Sequence, residues 1–103
     1  MSKIALEIRS QAEDEFYDTI DYYKDIDPSL ADDFIIEFEK FLEKILAFPE
    51  ADHPYLYLYQ SKRIILDRFP YSIVYKVYGD EKVVVYAVFH MRRKPGYWKE
   101  RLK

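Results

Sequence analysis

Apolar and polar residues alternate at the start of the chain. Ile4, Leu6 and Ile8 fall on one side, and Lys3, Glu7 and Arg9 on the other. A period of two predicts a half-buried strand over residues 3–9. Ser10-Gln11-Ala12-Glu13 then has the S-x-x-E form of a capping box, in which serine oxygen and glutamate carboxylate each accept a free backbone N–H. The period changes to that of a helix: Ala12, Phe16, Ile20 and Tyr23 recur at steps of four, four and three, and Asp14, Asp18, Asp21 and Asp25 take the opposite face. The pattern predicts a helix to about Lys24. Asp27-Pro28 restarts the chain, with Asp27 as cap and Pro28 at the first helical position, where its missing N–H costs nothing. A second stripe, Ala31, Phe34, Ile35, Phe38, Phe41, Leu42, Ile45 and Leu46, runs to about Phe48, and Pro49 stops it. Glu37, Glu39 and Glu43 are expected on its outer face. Two helices joined so closely form an antiparallel hairpin.

After the proline-bracketed segment 49–54 the pattern becomes that of strands. Tyr55 to Tyr59 is aromatic and extended, and Lys62 to Phe69 is centred on Ile64, Ile65 and Leu66. Pro70 interrupts, and Tyr71 to Tyr78 reads as the next strand. Gly79-Asp80 marks a tight reversal. Lys82 to Phe89 is nearly continuous Val, Tyr and Ala, so it is expected to be a central strand buried on both faces. Pro95-Gly96 is a turn, and Tyr97 to Leu102 has room for one or two helical turns. The fold class expected is α+β: an N-terminal strand, then an antiparallel helical hairpin packed on one face of an antiparallel β-sheet, in the order β-α-α-β-β-β, with one strand region open to splitting.

With 103 residues the chain is expected to be one domain, residues 1–103. Half its residues are hydrophobic and 18% aromatic, which excludes a disordered chain. The absence of cysteine excludes a disulfide scaffold, a thiol nucleophile and a cysteine-based zinc site. No secretory signal and no apolar run of membrane-spanning length is seen, so a cytoplasmic protein is expected. The net charge of −3 conceals an asymmetry: residues 1–60 carry a net −10 and residues 61–103 a net +7. Either the two halves simply attract each other, or the basic half meets an anionic partner.

The chemistry-bearing side chains crowd into the tail. Arg92, Arg93, Lys94 and Arg101 are cationic, Arg63 and Arg68 join them from an earlier strand region, and Tyr97 and Trp98 are flat aromatic surfaces. Cation beside stacking platform suits a single-stranded nucleic acid. His90, directly after a strand, is placed to take a proton near neutral pH. Metal-free RNA cleavage needs a base, a cation to stabilise the pentavalent phosphate and an acid for the leaving oxygen. His90, Arg92 and Tyr97 have those chemical types and are the candidate catalytic residues; Arg63, Arg68, Arg93, Trp98 and Arg101 are candidates for target binding. Each also has a plain structural role: a hydrogen-bonded strand-end histidine, a solvated basic turn, an aromatic plug over the sheet. With only His53 and His90 available, a histidine-rich metal site is excluded; no Gly-rich phosphate loop or serine-nucleophile motif is present, and no metal or cofactor is expected.

The run Arg63-Ile-Ile-Leu-Asp-Arg68-Phe-Pro-Tyr71-Ser-Ile-Val-Tyr75, the Gly79-Asp80 turn, Val83–Phe89, then His90-x-x-Arg93-x-Pro95-x-x-Trp98-x-x-Arg101, closely resembles the RelE/ParE toxin superfamily. The strand, acidic helix with Tyr22-Tyr23, Pro28-initiated helix and closing Pro49 agree, so the likeness covers nearly the whole chain. It implies a compact α+β toxin of a type II, plasmid-stabilisation type system, neutralised by a cognate antitoxin encoded beside it. RelE-like members cleave mRNA on the ribosome, and ParE-like members inhibit DNA gyrase. By position, Arg92 falls at the catalytic arginine of RelE-like nucleases and Tyr97 near their tyrosine. Ser72 stands where those nucleases carry a second arginine, and Ile65 where a lysine is expected. The resemblance therefore implies a ParE-like toxin, with an mRNA endonuclease and an inactive binding module as alternatives. The antitoxin is expected on the sheet face away from the hairpin, across Tyr55–Tyr59 and Tyr71, Tyr75 and Tyr78 and bordered by Arg63, Arg68, Arg92 and Arg93, through a segment whose acidic residues flank apolar anchors; a homodimer through the same patch is the other reading.

Overall fold

The structure is a computed structural model and describes residues 4–50, 54–56, 61–93 and 99–102. Strand β1, Ala5–Ile8, leads through Arg9 alone into helix α1, Ser10–Ile26. Helix α2, Pro28–Ala47, returns against it, and strands β2 (Pro54–Leu56), β3 (Ser61–Ile65), β4 (Tyr71–Tyr78) and β5 (Lys82–His90) follow, with a 3-10 turn at Lys99–Leu102. The strands form one sheet in the order β1-β5-β4-β3-β2. Neighbours among β2 to β5 are antiparallel, but β1 runs parallel to β5, with Ala5 opposite Lys82 and Ile8 opposite Val85. The sheet is therefore mixed rather than purely antiparallel. A period of two places side chains on faces but carries no information about strand direction.

The hairpin covers one face. Phe34, Phe38, Phe41 and Ile45 of α2 pack with Ala12 of α1 onto Ile64, Tyr71, Ile73, Tyr75, Val83, Val85 and Val88 of the sheet. Phe34, Ile73, Tyr75, Val83 and Val85 have no exposed surface. Residues Val83 to Phe89 are buried on both faces, as a central strand requires. The opposite face is not bare: Val74, Val84, Tyr86, Ala87 and Phe89 form a second cluster, and Leu102, 6% exposed, seals part of it. Tyr71 and Tyr75, expected there, point to the hairpin side instead.

The helix ends show where local signals won and lost. Asp27 caps α2, accepting the Ser29 N–H at 2.9 Å, and Pro28 opens the helix. That backbone N–H, with the Ser29 hydroxyl, holds the Asp27 carboxyl below its ordinary range. The Ser10 capping box does not form. The Arg9 N–H donates to the Val85 carbonyl at 3.0 Å, which keeps Arg9 extended in the ladder and makes it the cap residue, so Ser10 is already helical. Glu37 is 8% exposed rather than on the outer face, and its carboxylate accepts the backbone N–H of Arg68 at 2.9 Å, tying the β3–β4 connection to α2.

Candidate functional site

The best-organised polar cluster lies where β1 stops and β5 continues. Beyond Arg9 no strand of the described residues covers the upper edge of β5. A bulge at Tyr86 interrupts the β4–β5 register, Val74 facing Ala87 and Tyr75 facing Val85. Two groups of α1 and the tail take the place of the missing strand. Glu15 Oε1 accepts the Val88 N–H at 3.1 Å, and Arg101 Nη1 donates to the Tyr86 carbonyl at 3.1 Å. The two side chains also pair, Arg101 Nη1 to Glu15 Oε1 at 2.9 Å, with side chains only 19% and 12% exposed. Arg93 reaches the other oxygen of Glu15 at 3.6 Å. One carboxylate thus satisfies an edge amide and holds two of the cations singled out in the sequence.

Beside it opens a pocket of about 250 Å3. Tyr71 and His90 form its wall, edge to face at 5.1 Å, with Asp18 and Tyr22 of α1 on its rim. Burial raises the Tyr71 phenol, and its hydrogen bond with Thr19 partly offsets this. His90 Nδ1 accepts the Arg92 N–H at 3.0 Å, so a neutral ring carries its proton on Nε2. That is the strand-end histidine arrangement.

The remaining sequence candidates do not converge on this pocket. Arg63 pairs with Val74, and Ile65 with Ser72, on the sheet face away from the hairpin. There Ser72, buried, donates its hydroxyl to Met91 Sδ. Arg68 belongs to the hairpin side, 3.4 Å from Asp33. Arg92 is exposed on the turn after β5. Tyr97 and Trp98 lie outside the described residues. Lower on the open face, the Tyr78 and Tyr86 hydroxyls are 2.7 Å apart, and Arg9 lies over the Tyr86 ring. Burial and the bond to Tyr86 push the Tyr78 phenol up to about 12.

Chemically, the pocket offers one histidine nitrogen, an arginine and two carboxylates. It can bind a polar group and exchange a proton. Among the described residues no cluster of three or more His, Asp or Glu is placed to hold a metal ion, and no helix is long and apolar enough to cross a membrane. The sequence reading missed Glu15 and Glu37. Both had a signal: Glu15 falls between Ala12 and Thr19, and Glu37 between Phe34 and Phe41, at core spacing.

Residues 6–95 match the family model described as "ParE toxin of type II toxin-antitoxin system, parDE". No curated protein sequence matches. Among solved structures, a chain from the "Chromosomal ParDE TA system from P. aeruginosa" superposes with a TM-score of 0.73 at 13% identity, covering 85% of this chain and 96% of that one. The likeness in structure shows the shared fold, and the family match spans most of the chain: it belongs to the ParE toxin family of type II toxin–antitoxin systems.

Proposed function

We propose that this toxin is neutralised by a cognate antitoxin and arrests growth by binding a protein target, DNA gyrase first among them, rather than by cutting RNA. The division of its cations carries the reading. RNA cleavage needs base, cation and acid around one phosphate, within hydrogen-bond reach. Here Arg63 lies on the open sheet face beside Ile65 and Ser72, while His90 and Arg93 lie on the hairpin side, and Glu15 holds Arg93 and Arg101. The sheet position that would present a second arginine presents the buried hydroxyl of Ser72.

The test is a pair of assays. Purified toxin is expected to inhibit gyrase supercoiling and to leave mRNA on translating ribosomes intact. Cut mRNA ending in a 2′,3′-cyclic phosphate, slowed by Arg92→Ala about a hundredfold, would instead establish the nuclease built on His90, Arg92 and Tyr97. Inactivity in both assays with tight antitoxin binding would leave a binding module. Co-expression of the neighbouring gene product is expected to relieve growth arrest, and failure to do so refutes the antitoxin pairing.

A further inference from the structure

Arg9, directly after β1, Tyr86 of β5 and Tyr78 of β4 meet on the sheet face away from the hairpin. The two phenol oxygens are 2.7 Å apart, and Arg9 lies over the Tyr86 ring. The Tyr86 hydroxyl, by hydrogen bonding, and Glu7, by its charge, raise the Arg9 guanidinium above its ordinary value. A guanidinium only donates, so the Tyr86 oxygen is its acceptor. Tyr86 is 3% exposed, and among the described residues the acceptor in reach of its own proton is the Tyr78 oxygen. Donation therefore runs from Arg9 to Tyr86 to Tyr78, and Tyr78, 37% exposed, turns its own proton to solvent. Each bond in such a row strengthens the next, which makes the last hydrogen a polarised donor. Burial and the Tyr86 bond, which lift the Tyr78 phenol to about 12, keep that proton in place at neutral pH. The Lys76 and Lys82 ammonium groups lie 5.6 and 5.4 Å from the centre of the Tyr78 ring.

We infer that this row is an oxyanion site, in which the Tyr78 hydroxyl donates to a carboxylate of an acidic segment of the protein target while Lys76 and Lys82 flank it. Charge and spacing select this occupant. Glu7 pairs with Arg9 at 3.2 Å and Lys82 at 3.7 Å, whereas Lys76 has no carboxylate partner among the described residues. Glu7 lies across β5 from Lys76, both opposite Val84, or about 10 Å away at two strand spacings. A single carboxylate meets Tyr78 and Lys76 clear of it. A nucleic acid, whose phosphates follow one another closely, would be driven onto it and repelled. Further up the same face the exposed side chains are Ile65 and Met91, which a protein segment covers and which offer bases no stacking platform. The inference rests on the protein-target reading given above and adds the surface and the chemistry by which the target is held.

The test titrates the purified toxin with a short polyglutamate peptide, with a single-stranded DNA oligonucleotide of equal charge, and with gyrase holoenzyme. The first two are followed by the NMR resonances of Tyr78, Lys76 and Lys82, the third by inhibition of supercoiling. The peptide is expected to shift those resonances and to bind more tightly than the oligonucleotide. Lys76→Glu combined with Lys82→Glu is expected to weaken peptide and gyrase alike about tenfold or more at low salt, with the loss shrinking as salt rises. Tyr78→Phe, which removes the donor and no charge, is expected to cost about tenfold at low and high salt. Lys24→Glu combined with Lys40→Glu, exposed on the hairpin, makes the same change in net charge and is expected to keep wild-type affinity. Melting temperatures check folding, and the lysine reversal decides the matter if Tyr78→Phe unfolds. Resonances that do not move, wild-type affinity in the lysine reversal, or an equal loss in the hairpin control overturns the inference. So does tighter binding of the oligonucleotide at these residues, or a peptide displaced by the antitoxin or a second toxin copy but not by gyrase. Wild-type toxin that leaves gyrase untouched refutes the gyrase reading itself, and the peptide titration still decides the site.

Discussion

Replacing Glu15 by alanine removes the carboxylate that accepts the Val88 N–H and pairs with Arg101 and Arg93. Two costs follow. An edge amide that is mostly shielded loses its acceptor, worth about 1–3 kcal/mol. Arg101, still bonded to the Tyr86 carbonyl, loses its counter-charge; breaking a fully buried pair costs about 3–5 kcal/mol, and the 19% exposure of the Arg101 side chain lets water recover part of that. The loss expected for Glu15→Ala is therefore about 3 kcal/mol, and about half of it for Glu15→Gln, whose amide oxygen still accepts from Val88 but carries no charge. Arg93, exposed and more distant, adds little. Equilibrium denaturation of Glu15→Ala, Arg101→Ala and the double variant measures the pair directly, with a coupling of about 1 kcal/mol or more expected. Hydrogen exchange at the Val88 amide is expected to accelerate in Glu15→Ala and to stay slow in Arg101→Ala. A loss below about 0.5 kcal/mol, with additive single effects, would refute the claim that this pair stands in for a strand.

Phe34, with no exposed surface and five aromatic neighbours, is expected to cost about 3–5 kcal/mol as Phe34→Ala, read by denaturation; a smaller loss would mean that the hairpin collapses into the space. Burial pushes the Tyr75 phenol up to about 12, from an ordinary 10.0. A raised folded pKa favours the protonated folded state, so its stabilisation is complete below pH 10 and is lost as pH rises from about 10 to about 12. Tyr75→Phe is expected to flatten that alkaline fall, and an identical profile refutes the assignment. Asp27 has the opposite sign: its lowered carboxyl stabilises α2 above the ordinary carboxylate range and loses that effect in acid, so Asp27→Ala is expected to lower the melting temperature at pH 7 and to matter little at pH 2.

Much of this fold is readable from spacing alone. All of the α2 stripe except Ile35 is buried or packs against the core, because apolar positions at helical steps leave little other way to orient that helix. The limits of β4 fall where Pro70 and Gly79 put them, the glycine at φ 58. The capping box failed because a ladder bond to a strand more than seventy residues away outweighed a local signal. The direction of β1 is invisible for the same reason, since its partner lies at the other end of the chain. The site was legible as residue types and not as geometry. His90, Arg93 and Arg101 do gather at one end of β5, but their organiser, Glu15, read as one acid among many. Arg63 was grouped with them because both are basic and close in sequence pattern, and only the alternation of faces across β3, β4 and β5 separates them.

The parallel pairing of β1 with β5 has a consequence for how the toxin is made. Its first strand finds its only described neighbour in the last. At roughly 5–20 residues per second of synthesis, β1 waits several seconds for β5 to emerge, and until then the hairpin can cover only the β2–β4 part of its sheet. Contacts this far apart in sequence make folding slow, because the intervening chain must close its loop before any pairing is gained. A ribosome that stalls or drops off before Lys82 therefore releases a chain with neither the edge that Glu15 guards nor a partner for β1. Nascent and truncated copies that end before β5 thus lack the central strand on which both β1 and the Glu15 carboxylate depend.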